Sequence, residues 1–430
     1  MPGRITTVDQ ALNMVRMSPR TLADVPEKLV TPELCLAAVQ KDGDAFRFVP
    51  EKFKTPEHCL IAVQNSGFAL CFVPEELKTP ELCFAAVQNF GWAFGFVPET
   101  LKTPEFCLVA VQKDGETLAY VPEKLVTPEL CLVAVQNNGL ALKHVPLAFR
   151  TPELCLAAVQ NEGKALSYVP EALKTPVLCL IAVKMGSETK LDLSVLNEVL
   201  KYVPEELKTP ELCLAAVQNE GSALEYVPNA LKTEELCLVA VQNYCYALKY
   251  VPEALKTAEL CLAAVQNDGF ALEYVPEKLK TPELFLAAVQ SRYRLHIFID
   301  ANRTSLCSPL EYVPEELKTP ELCLAAVQNR GFALKDVPEV LKTLKLCLAA
   351  VQNYASAVED ASALEYVPEE LKTPELCLAA VQNRGFALKD VPEALKTLEL
   401  CLAAVQNNSK ALEYVPVAHK ESVLRQVRKD

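Results

Sequence analysis

The chain has 430 residues, 51% of them hydrophobic and 23% charged, with a net charge of −13 and 30 prolines, 13 glycines and 17 cysteines. That is too apolar for a disordered chain and too long for a disulfide miniprotein. Proline breaks the apolar runs every two dozen residues, so none of about 20 residues is left to span a bilayer, and the acidity disfavours a nucleic-acid partner, which needs a basic face.

Residues 1–24 contain no continuous apolar run, so no secretory signal is expected. Cysteine-rich chains without such a signal belong in a reducing compartment, which makes the expected location cytoplasmic, with free thiols. From Thr7 onward the chain repeats. The first copy, residues 1–30, is degenerate and reads as an N-terminal cap. Residues 31–416 form a continuous array of the unit TPELCLAAVQNxGxALxYVPExLK, with Val-Pro recurring every 24 residues from Val25 to Val169. Insertions near 185–199, 291–309 and 354–361 stretch three later steps. Residues 417–430 read as a basic C-terminal capping segment.

Within one unit, Thr127 is placed to N-cap a helix, Pro128 to open it and Glu129 to meet the positive end of its dipole. The helix should run about three turns and stop at Asn138-Gly139, with the glycine free to take a positive φ. It is apolar nearly all round, as expected of a helix clamped between neighbours. Ala-Leu-x-Tyr-Val-Pro predicts a second short helix stopped by the proline, and Pro-Glu-x-Leu one more turn, whose final Lys or Val leads into the next Thr. The fold expected is all-α: an α-solenoid, right-handed or of unspecified hand, of about 16 stacked 24-residue repeats, each with one full helix and one or two short helical turns.

The recurring Ala-Val-Gln-x-x-Gly and Tyr-Val-Pro-Glu elements resemble the domain-of-unknown-function 4116 (DUF4116) repeat family over residues 7–416. The resemblance implies a helical repeat array and carries over no activity.

Fourteen cysteines share one repeat position, from Cys35 to Cys401, with Phe285 taking their place in one copy. Stacked helices set adjacent positions about 9–10 Å apart, too far for disulfides or tetrahedral zinc. The row therefore reads as small buried hydrophobes, against an alternative of a thiol-rich metal-binding or redox-buffering array. Gln recurs at nearly every helix end, with Lys184 breaking the run, and is suited to bonding a neighbouring turn or the backbone of an extended peptide. The four histidines are scattered, and no catalytic or phosphate-cradling motif appears, so neither enzyme activity nor a cofactor or metal is expected.

Variation concentrates beside the glycine, where all three insertions also fall. One loop position of a solenoid makes one edge of the molecule, and insertions there mark a binding face. The expectation is a non-enzymatic scaffold for a protein or peptide partner on this edge. Its candidate contacts are Phe68, Phe90, Trp92, Tyr244, Tyr246, Phe270, Tyr293, Arg294, Phe332 and Phe386.

Overall fold

The computed structural model describes residues 5–185, 198–291, 308–353 and 362–427. Tyr293, Arg294, Cys307 and most of the three insertions lie outside the described residues. The chain divides into two compact units, one through Asn219 and one from Glu220 onward. In each, the architecture is the expected all-α tandem repeat, and the described residues contain no strand.

Each repeat folds as its punctuation dictates. Thr127 is extended (φ −119°, ψ 159°) and its Oγ1 accepts from the Leu130 N–H at 3.2 Å, capping the helix Pro128–Asn137. Every repeat Thr from Thr7 to Thr397 makes the same bond. Asn138 then turns the chain (φ −146°, ψ 112°), and its Oδ1 accepts from the Leu140 N–H at 2.9 Å to open a 3-10 helix over Gly139–His144. The Val145 N–H closes that helix on Leu142 O at 3.2 Å, and Pro146, with no N–H to give, ends it. A single 3-10 turn, Leu147–Phe149, completes the unit.

Both short segments are thus 3-10 rather than α. The tighter helix rises about 2.0 Å per residue, so six residues span roughly 12 Å, against about 15 Å for the ten-residue α-helix. Two rows of similar length are thereby fitted into 24 residues. In each unit, consecutive α-helices pack on one another and consecutive 3-10 helices do the same.

The core is a repeating set: Leu130, Cys131, Ala134 and Val135 from the α-helix, then Ala141, Leu142 and Val145. The α-helix is not clamped all round, because Leu132 is 39% exposed and its equivalents Leu60, Phe84, Leu108, Leu262 and Leu286 are similarly open. These side chains share a face with the exposed Glu three residues before and Gln four residues after.

Candidate functional site

The positions flanking the glycine do not all face solvent. Phe68 and Phe90 are 42% and 40% exposed, and Trp92 and Tyr244 are half-buried. Tyr246, Phe270, Phe332 and Phe386 are buried, which corrects the expectation that they form an open contact edge. The residue after the glycine leans onto the next repeat's aromatic. Trp92 meets Tyr120, Tyr246 meets Tyr274, Phe270 meets Tyr312 and Phe386 meets Tyr414, edge to face, with ring centroids 5.8 to 6.3 Å apart. Phe68 makes the same contact with Phe96 at 5.7 Å while keeping an open side. Polar anchors hold two of the rings. Trp92 Nε1 donates to Asp114 at 2.7 Å and Tyr246 Oη to Asp268 at 3.1 Å.

The glycine has another role than the one its sequence context suggested. No described glycine has positive φ. A Cβ on Gly139 would instead lie 2.4 Å from Ala158 O and 2.9 Å from Glu162 Cβ, so glycine is required by the close approach of the following repeat.

Two bonded rows tie that repeat down. Asn161 Nδ2 donates to Gln136 O at 2.9 Å, while its Oδ1 accepts from the Gly139 N–H at 2.7 Å. Asn89 and Asn137 bridge in the same way to Gln64 and Gly67 and to Gln112 and Gly115. The Gln side chains stay exposed, and it is their main-chain carbonyls that are bound. Asn, not Gln, is the linking residue, and its recurrence beside Gln was the available signal. On the other row, Lys78 Nζ bonds Glu75 at 2.6 Å and reaches Phe96 O of the next repeat at 3.0 Å. Lys102 does the same with Glu99 and Tyr120 O. These lysines are almost wholly buried, whereas their Glu partners are more than 70% exposed.

The ladder cysteines are all buried, and burial pushes thiols such as Cys131 and Cys323 up to about 11. Thiolate, the nucleophilic and metal-binding form, is correspondingly scarce there near neutral pH. Among the described residues no three His, Cys, Asp or Glu side chains gather around one point. The buried His58 is internally satisfied: its Nε2 donates to Pro32 O at 3.1 Å and its Nδ1 accepts from Thr55 Oγ1 at 2.7 Å.

Asp336 and Asp390 replace the repeat's aromatic residue, and in each Oδ2 is buried without a hydrogen-bond partner. Burial raises both carboxyls to about 6. Because the folded value exceeds the unfolded one, their contribution is complete below about pH 4 and is lost as pH rises through about 6. The double replacement Asp336→Asn and Asp390→Asn should therefore leave stability at pH 4 nearly unchanged. At pH 7.5 it should gain about 1 kcal/mol per site, a figure reduced for partial solvent access. Urea midpoints at the two pH values check this, and an equal shift at both would refute it.

The helix face carries grooves that sequence spacing did not reveal, since each is built by residues one repeat apart. Between the helices Pro80–Asn89 and Pro104–Lys113 lies a cavity of about 480 Å³, walled by Phe84, Leu101, Phe106 and Val109 with Glu81 and Glu105 at its edge. The same place between Pro374–Asn383 and Leu398–Asn407 holds only about 210 Å³, with Leu378 and Leu400 standing where the two phenylalanines are.

Comparison with protein families gives ten successive matches to the domain of unknown function DUF4116, covering residues 31–174 and 178–420. The chain belongs to this family. Most DUF4116 matches span two consecutive repeats, as 31–78, 79–126 and 127–174 do. Two repeats are the least that contains one junction between neighbours. The overlapping matches 209–256 and 233–280 show that a DUF4116 pair can be framed from either repeat. A search of curated proteins found no match.

Proposed function

We propose that the protein is a non-enzymatic scaffold that binds a protein or peptide partner. The observation that carries this reading is the pair Phe68 and Phe90, large aromatic side chains about two-fifths exposed on neighbouring repeats of one unit. Bulky aromatics left open on a rigid frame are the usual anchors of interfaces. Trp92 and Tyr244, partly open at equivalent positions, extend the candidate contacts. A polyanionic partner is disfavoured, because exposed Glu recurs from repeat to repeat, as at Glu75 and Glu99, and the net charge is −13. No helix among the described residues is long and apolar enough to cross a membrane.

Affinity capture from native lysate, comparing the unaltered chain with a Phe68→Ala and Phe90→Ala variant, tests the reading. A partner captured in stoichiometric amount should fall at least tenfold with the variant, its helical circular dichroism unchanged. Equal capture by both proteins would remove these residues from the interface.

A further inference from the structure

The groove between Pro80–Asn89 and Pro104–Lys113 differs from its counterpart in a way that suits a ligand. Its volume of about 480 Å³ falls within the range of small-ligand pockets, roughly 300–1,000 Å³, whereas the 210 Å³ of the counterpart falls below it. Three substitutions meet at this junction. Phe84 and Phe106 replace the leucines of the repeat, and their rings lie 5.9 Å apart. Phe106 also stands edge-on to the buried Phe94, at 5.4 Å, so the wall is anchored in the core. Lys113 stands where other repeats place the bridging Asn.

The junction is correspondingly wider. An added Cβ on Gly91 would meet Asp114 Cβ first, at 3.0 Å, whereas on Gly67 or Gly115 it would fall 2.2 to 2.3 Å from the facing Ala carbonyl. The rim is acidic and unneutralised. Glu81 and Glu105 are exposed and have no ion-pair partner among the described residues. The nearby cations are engaged elsewhere, Lys78 with Glu75 and Phe96 O, Lys102 with Glu99 and Tyr120 O. An apolar slot between two free carboxylates is complementary to an apolar side chain flanked by cations.

We propose that this groove binds a peptide segment in which a bulky apolar side chain is flanked by Lys or Arg. The apolar side chain enters between Phe84 and Phe106, and the flanking cations pair with Glu81 and Glu105. This rests on the binding-scaffold reading but not on its aromatic loop edge.

Fluorescence anisotropy of the full chain with a labelled peptide carrying one Phe between two Lys pairs tests the proposal. Saturable binding is expected, at least tenfold weaker for the peptide with Ala in place of Phe and for one with Glu in place of Lys. Phe84→Lys, at an exposed position, and the pair Glu81→Gln with Glu105→Gln should each weaken binding at least tenfold. The pair Glu129→Gln with Glu153→Gln, the same positions on the next two helices, should stay within twofold, as should Phe68→Ala with Phe90→Ala. Retention in that last variant separates the groove from the loop edge. Absence of saturable binding, equal binding of the Ala peptide, or equal weakening by the Glu129 and Glu153 pair would overturn the proposal, the last by showing diffuse electrostatics.

Discussion

Gly139→Ala should destabilise the protein by about 2–3 kcal/mol, the upper part of the range for overpacking a close contact. Without the neighbouring repeat the sign would reverse. Gly139 has ordinary negative φ, and alanine is preferred over glycine in a helical backbone by up to about 1 kcal/mol. What decides is the added Cβ, 2.4 Å from Ala158 O and 3.0 Å from Glu162 N, both rigid main-chain atoms. At Gly91 the nearest atom is the Cβ of Asp114 at 3.0 Å, and the same substitution should cost less than about 1 kcal/mol. Urea denaturation followed by circular dichroism compares the two. Equal midpoint shifts would mean that spacing between repeats is not what selects glycine. Cys245 and Ser409 hold this position in two other repeats, so the cost belongs to each junction and not to the position as such.

Asn161→Ala should be the next most damaging change, at about 2 kcal/mol. It strips the buried Gly139 N–H of its acceptor, and an unsatisfied buried donor costs about 1–3 kcal/mol. The Gln136 carbonyl also loses a bond, but it lies at an exposed helix end where water can replace the amide. Asn161→Asp keeps the acceptor for Gly139 and loses only the donor, so its cost should be smaller. Amide exchange at Gly139 gives a local readout. It should accelerate sharply in the Ala variant and less in the Asp variant. Unchanged protection in both would show that the bridge contributes nothing.

Much of the fold was legible because the repeat's signals are local. Thr caps, Pro opens and Glu meets the dipole within four consecutive residues, and Val-Pro stops the second helix just as directly. The 24-residue period likewise left room for only one full helix. What escaped the sequence depends on atoms one repeat away. Asn-Gly reads locally as a stop needing positive φ, whereas the glycine actually answers to Ala158 of the next repeat. Gln drew attention by its regularity, yet the bridging amide belongs to the Asn beside it. Loop position alone could not separate Phe68, which keeps an open side, from Phe270, which follows its glycine in the same way but is buried against Tyr312. The groove was hidden for the same reason, because Phe84 and Phe106 meet only once the helices are stacked.

The two bridging rows also set how evenly the array is coupled. Lys113 stands where residues 103–126 would otherwise supply an Asn to the preceding repeat, and Val126 where they would supply a Lys to the following one. Each side of that repeat keeps one bond of these two rows, Lys102 to Tyr120 before it and Asn137 to Gln112 after it, and adds a side-chain bond of its own, Trp92 to Asp114 before it and Lys143 to Glu116 after it. In a one-dimensional stack, stability is a sum of repeat terms and nearest-neighbour terms. Residues 103–126 are therefore held in the stack partly by bonds particular to this repeat, so a pull along the first unit loads Trp92, Asp114, Glu116 and Lys143 here where it loads the recurring Asn and Lys elsewhere.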